Sequence, residues 1–181
     1  SAIGINNQYS GGGAIYADNS DLSSSHSTFE LNLAGYDQTI GGGGSLYYLN
    51  GFGDSLYLIN SELIMSASTI NENNSGIYAS QSVANITNST FYKSLYYGYH
   101  DDRGHLDFRN FSSLTLNHVT IDAAMRVENS NLIMTNSILE GDCNFSDTSN
   151  FILDSHNILV TNASQQSYHC PSSDNLFYFP R

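Results

Sequence analysis

Basic residues are scarce in this chain: five Lys and Arg stand against 17 Asp and Glu in 181 residues, a formal net charge of −12 with a pI near 4.4. A surface of that sign repels phosphate backbones and anionic lipid heads, which excludes nucleic acid and membrane surfaces as natural partners. No apolar run approaches the 18 or so residues of a membrane-spanning helix, so this segment is not expected to insert. Cysteine is nearly missing, with Cys143 and Cys170 the only two. No matching column of histidine or carboxylate bases accompanies the abundant serines, so a row of nucleophiles is not the way to read them.

What the chain does have is one pattern written six times. Aligned on Ser20, Ser61, Ser82, Ser112, Ser130 and Ser149, the copies need no internal gap. Two places after each serine stand Leu22, Leu63, Ala84, Leu114, Leu132 and Phe151. Two further on come Ser24, Met65, Ile86, Leu116, Met134 and Leu153. Nine places after the serine stand Phe29, Ile70, Phe91, Ile121, Leu139 and Ile158. Of these 18 cells 17 are apolar, where the 40% hydrophobic composition predicts about seven, so the repeat is structural and not accidental.

A spacing of two is strand spacing, with successive side chains on opposite faces. The polar position that follows (Ser25, Ser66, Thr87, Asn117, Thr135, Asp154) and the small residues after it mark a corner. Glycine-led or serine-led pieces supply a third strand: Gly11 to Ala17, Gly43 to Tyr48, Ser75 to Ala79 and, more loosely, Gly104 to Phe108. In this reading Ile15, Leu46, Ile77 and Leu106 point inward. A unit of short strands and bends cannot bury its own apolar edge, so it stacks on its copies. The expected fold is all-β: a single-stranded parallel β-helix, or β-solenoid, of about six to seven three-strand rungs, with loops inserted in the first and third intervals.

The Gly12-Gly13-Ala14-Ile15 and Phe29-x-x-Asn32 stretches, echoed by Gly43 to Leu46 and Ile70-x-x-Asn73, resemble the repeats of the chlamydial-type polymorphic outer membrane proteins. Later copies degrade: Phe91 meets Ser94 and Ile121 meets Ala124. The resemblance implies a right-handed parallel β-helix displayed outside a cell, often as the passenger of an autotransporter adhesin. High Asn, Ser and Gly content agrees with a secreted or cell-surface location.

One domain is expected over 1–181, with 1–11 a partial rung or cap, 12–161 the repeats and 162–181 a cap or contact tail. Leu176, Phe177 and Phe179 would form a lid on the last rung or a strand donated to a neighbour. Cys143 and Cys170 lie 27 residues apart, about one rung plus a small loop, so a disulfide between neighbouring rungs is expected, with two buried thiols as the alternative.

The serine column reads as a hydroxyl ladder serving corner backbone groups. Thr28, Thr69, Thr90 and Thr120 form an outward column that packs well across parallel strands. Tyr16, Tyr47 and Tyr78 would stack outward on the glycine-led face, continued by Asp107 and Arg126, as a stabilising ladder or a binding stripe for sugars or protein. The densest candidate patch is the third-interval loop, with Tyr96, Tyr97, Tyr99, His100, Asp101, Asp102, Arg103 and His105 beside a rigid scaffold.

Two functions follow. The first is a non-enzymatic extracellular protein of surface structure or adhesion, binding a cell-surface protein or glycan, or copies of itself stacked end to end as a filament. The alternative is a polysaccharide lyase or hydrolase acting from the 92–105 loop, with Asp101 or Asp102 as acid, base or calcium ligand and Arg103 steadying a sugar acid.

Overall fold

The computed structural model describes residues 14–30, 32, 55–71, 73, 76–92, 106–141, 143–146, 148–153 and 156–160. All their regular structure is strand, wound in six coils. The first two coils are β1 (Ile15–Asp18), β2 (Asp21–Ser25), β3 (Thr28–Glu30), then β4 (Leu56–Ile59), β5 (Glu62–Ser66), β6 (Thr69–Asn71). The middle two are β7 (Ile77–Ser80), β8 (Val83–Thr87), β9 (Thr90–Tyr92), then β10 (Leu106–Arg109), β11 (Ser113–Asn117), β12 (Thr120–Asp122). The last two are β13 (Met125–Glu128), β14 (Asn131–Thr135), β15 (Ile138–Glu140), then β16 (Cys143–Phe145), β17 (Asn150–Leu153), β18 (Ile158–Val160). Every third strand pairs in parallel, giving three six-stranded sheets: A from β1 to β16, B from β2 to β17 and C from β3 to β18. This is the parallel β-helix expected from the repeat.

The apolar columns meet along the axis. Leu63, Leu114 and Leu132 are at most 1% exposed, and they share one core with Ile77, Leu106, Met125, Ile70, Phe91 and Leu139. Sheet C turns its threonines outward in register, Thr28, Thr69, Thr90 and Thr120, with Ile138 next.

At the corner between sheets A and B each serine hydroxyl works in two directions. The N–H of Ser20 donates to the Ser61 hydroxyl (3.2 Å), and the relay continues through Ser61 to Ser82 (3.1 Å), Ser82 to Ser112 (3.2 Å), Ser112 to Ser130 (3.1 Å) and Ser130 to Ser149 (3.2 Å). Ser61, Ser82 and Ser130 in turn donate to the carbonyl two residues back, at 2.7 to 2.8 Å. The residue before the serine is left-handed: Asn19, Asn60, Gln81 and Asn129 lie at φ 46 to 53°. Asparagine tolerates that region better than most side chains.

A second ladder runs along the corner between B and C, through Ser27, Ser68 and Ser89 and again from Val119 to Ser137 and Asn157. Val119, buried and without a hydroxyl, interrupts it. At the third corner the asparagine of the Phe-x-x-Asn motif takes over. Fully buried Asn73 accepts from the Asn32 N–H (2.8 Å) and donates to the carbonyls of Phe29 and Asn71. Both long insertions, 33–54 and 93–105, leave sheet C and re-enter sheet A at this third corner. In coil five the same corner is closed by Gly141, at φ 148°, where an added Cβ would lie 2.5 Å from the Ala123 carbonyl oxygen.

Two expectations need correction. The second coil's sheet-A strand is Leu56–Ile59 and not the Gly43 to Tyr48 piece: Leu56 pairs with Ile15 and Ile77, and Tyr57 stands in the column assigned to Tyr47. Ile15, Leu56, Ile77 and Met125 all lie five residues before their corner serine, and Leu46 does not, so a corner of two residues admits only the later Ser-Leu-Tyr. In the sixth copy Leu159, not Ile158, is in register with Leu139, because that coil has one more residue ahead of β18. Coil four carries an extra residue at its A–B corner, where Asn110 and Phe111 are both left-handed (φ 55° and 67°) and Ser112 bonds the carbonyl three residues back, Arg109 (2.7 Å). A left-handed backbone costs a bulky residue about 1–2 kcal/mol. The terminal segments 1–11 and 162–181, with Leu176, Phe177 and Phe179, lie wholly or almost wholly outside the described residues.

Ser82→Ala removes both an acceptor for a buried N–H and a donor, and is expected to lower unfolding free energy by about 1–3 kcal/mol in urea titrations. Ser24 holds the inward column of coil one, its buried hydroxyl without a partner among the described residues. Ser24→Val is therefore expected to raise the melting temperature; an unchanged or lower value would contradict the inward assignment.

Candidate functional site

Sheet A presents the most organised outer face. Its first outward column reads Tyr16, Tyr57, Tyr78, Asp107, Arg126, and its second reads Asp18, Ile59, Ser80, Arg109, Glu128. Parallel register brings like positions to about 4.8 Å, close to the distance at which flat rings touch. The Tyr16 and Tyr57 centroids are 5.5 Å apart at an interplanar angle of 16°, and those of Tyr57 and Tyr78 are 4.7 Å apart at 21°. The Arg109 guanidinium covers the next ring position, 5.8 Å from the Tyr78 centroid.

The ring faces are therefore turned to one another. What this stripe offers a partner is ring edges and phenol oxygens, not an open aromatic platform. Tyr16, at the end of the stack, is 53% exposed, and Tyr57 and Tyr78 are half-buried.

Below the rings lies a charge quartet. Arg109 donates to both Asp107 oxygens, through Nε to Oδ1 (2.7 Å) and Nη2 to Oδ2 (2.6 Å). Arg126 Nη2 donates to Glu128 Oε2 (2.8 Å), and Arg109 Nε lies 3.9 Å from the same oxygen. Strand β10 reads acid then base, and β13 reads base then acid. Registered as Asp107 with Arg126 and Arg109 with Glu128, they alternate like a chequerboard, so each charge meets the opposite sign along the strand and across it. Elsewhere register is less kind: Asp21 lies beside Glu62, and Asp122 beside Glu140.

Asp107 is 3% exposed although its position faces outward. Burial pushes its carboxyl above the ordinary value, and the Arg109 hydrogen bonds and the charges of Arg109 and Arg126 act in the opposite direction. Burial likewise raises the Tyr57 and Tyr78 phenols. Charge repulsion from Tyr78 and Tyr16 adds to the effect on Tyr57, and Arg109 opposes it on Tyr78.

Of the residues singled out in the sequence, Tyr16 and Tyr78 stand on this face with Asp107 and Arg126. Tyr57 was missed in favour of Tyr47; the five-residue spacing to the corner serine is the signal that identifies it. Tyr47, Tyr96, Tyr97, Tyr99, His100, Asp101, Asp102, Arg103, His105 and Cys170 lie outside the described residues. Cys143 supplies backbone to β16 in register with Met125. Among the described residues no group of three or more His, Cys, Asp or Glu is placed to hold a metal ion, and no helix is long and apolar enough to cross a membrane. Comparison with protein-family models, with curated proteins and with solved structures gives no match.

A phenol whose pKa is raised by folding contributes stability that is intact below the unfolded value, near 10.0, and lost as pH climbs through the folded values. Tyrosinate absorbance should accordingly show the Tyr57 and Tyr78 phenols titrating above 10.0, with melting temperature falling over the same range. Tyr57→Phe should remove one late phenol and lessen the fall. Tyr57→Ala, which breaks both ring contacts, should cost about 1–3 kcal/mol at neutral pH.

Proposed function

We propose that this chain is a non-enzymatic extracellular β-helix serving surface structure or adhesion, built from repeats of the polymorphic outer membrane protein type. The observation that carries this reading is how the regular polar groups are engaged. Corner hydroxyls serve the backbone, the four charges of sheet A serve one another, and the tyrosine faces serve neighbouring rings. Such a face makes contacts from fixed positions; it holds no nucleophile and base poised together. Its partner is a cell-surface protein or glycan, met by Tyr16, Tyr57 and Tyr78 and by the loop that carries Tyr96 to His105. The bond from Asn32 of the Phe29-x-x-Asn32 stretch to Asn73 of its Ile70-x-x-Asn73 echo is consistent with that reading. A Cys143–Cys170 bridge belongs to the same reading, since disulfides persist outside reducing compartments.

One observation favours self-assembly as a second use of the rod. Inward residues of the end coils, Ile15, Leu22 and Phe29 at one end and Phe151 and Leu153 at the other, are only partly buried. Stacking of copies end to end would complete their burial and pair the strand edges. Exposed Asp18, Asp21 and Glu30 on the first coil oppose approach of another acidic chain until salt screens them.

Sedimentation at rising ionic strength is expected to show growing particles; a monomer at all salt and protein concentrations would remove the filament reading. For recognition, immobilised protein presented with cell-surface proteins and glycans should retain a partner that Tyr16→Ala with Tyr78→Ala releases. Product release from acidic polysaccharides, abolished by Asp101→Asn with Asp102→Asn, would overturn the non-enzymatic assignment. Thiol titration of the unfolded, unreduced chain should find no free thiol.

A further inference from the structure

Phe111 is the most exposed large apolar residue described, at 83%. Among the described residues it is also the one phenylalanine held in the left-handed region, at φ 67°, and it is an insertion. The neighbouring coils turn the same corner with one residue fewer. The serine relay passes through coil four intact, from Ser82 to Ser112 to Ser130, so the corner does not need the extra residue to close. The inter-coil backbone bond shifts by one place to accommodate it: the Phe111 N–H donates to the Asn129 carbonyl (2.8 Å). A bulge of this kind re-aims a side chain, and here it lifts a ring clear of the rod. Strained, exposed and dispensable for the turn, the residue calls for a role outside folding.

Its surroundings define the partner. Along the same corner stand the side-chain amides of Asn60, Gln81, Asn110 and Asn129, all exposed. Asn110 Nδ2 donates to Ser80 Oγ (3.1 Å), and Asn129 Oδ1 accepts from Thr148. The adjoining positions of sheet B are Glu62, exposed, Val83, 44% exposed, and Ser113 and Asn131. The charged residues preceding this corner, Arg109 and Glu128, are engaged in the sheet-A quartet. In a chain of net charge −12 the corner ridge around Phe111 carries one open aromatic face among amides repeated at strand spacing, with Glu62 as the exposed carboxylate at its coil-two end.

We infer that this ridge is a binding site for a neutral polysaccharide lying along the rod, with the Phe111 ring stacked on the C–H face of one sugar and the flanking amides hydrogen-bonded to hydroxyls. A sugar ring has an apolar C–H face and a polar rim, which is the complement of a ring edged by amides. Protein hot spots favour apolar, water-excluded pockets, whereas this convex corner is wet and polar around its single ring. An acidic glycan would be repelled by the net charge, and a basic peptide would find Glu128 already paired with Arg126 and the exposed Glu62 two coils away from Phe111. The site lies at the A–B corner and stands apart from the tyrosine stripe.

The test is affinity electrophoresis of the whole chain through gels containing neutral glucan, mannan or galactan, with polygalacturonate as the acidic control. Wild-type protein is expected to be retarded by at least one neutral polymer. Deletion of Phe111, which restores the shorter corner, and Phe111→Ala are each expected to weaken that retardation about tenfold or more. The deletion should leave melting temperature unchanged or raised, which separates loss of binding from loss of fold, and Asn129→Ala should weaken binding less. The inference is overturned if no neutral polymer retards the protein, if the deletion variant, still folded, is retarded as strongly as wild type, or if only polygalacturonate binds. It is equally overturned if Phe111-dependent binding is to a protein surface from which glycans have been removed.

Discussion

A hydroxyl that accepts from one coil while donating within its own is the contact on which this rod depends. Each described corner between sheets A and B up to coil five leaves a backbone N–H with no strand partner, and a serine oxygen of the next coil lies at 3.1 to 3.2 Å to receive it. An apolar residue there would bury an unsatisfied donor, at a cost comparable to a sizeable part of a domain's net stability. Because the relay repeats at the same place in every coil, it sets the coils in common register. The register then brings leucine onto leucine along the axis and leaves no freedom for a one-residue slip, which would turn the apolar columns outward.

The outer faces inherit that register whether or not it suits them. At about 4.8 Å, rings stack well and like charges repel. Sheet A resolves the constraint by running three tyrosines in a column and then alternating acid and base over two strands. The result is a face whose groups are held by one another before any partner arrives, so a partner meets pre-ordered edges and loses little in ordering them. Sheets B and C carry like-charged neighbours instead, and show no comparable organisation.

Interruptions of the repeat are where the rod departs from pure scaffold. The two long insertions leave at the third corner, where between the first two coils an asparagine amide replaces the hydroxyl relay. Phe111 interrupts a different corner, and does so without breaking the relay. In each case the core columns keep their register past the irregularity.

The sequence by itself determined the architecture: strand-period apolar columns, the serine ladder, the threonine column and the place of both insertions are local patterns that only stacking of copies satisfies. Tertiary structure alone decided which of two Ser-Leu-Tyr segments enters the second coil, since that turns on whether a two-residue corner reaches the serine relay. It also decided that Leu159 and not Ile158 stands in register with Leu139, and that the rings of Tyr16, Tyr57 and Tyr78 are stacked on one another. It joined Arg109 and Glu128 to Asp107 and Arg126 as a quartet, the registered pairs standing 19 residues apart in the chain. The physical reason is common to all of these: periodicity tells which way a residue points relative to its own strand, and only the winding of the chain tells what stands beside it on the next coil.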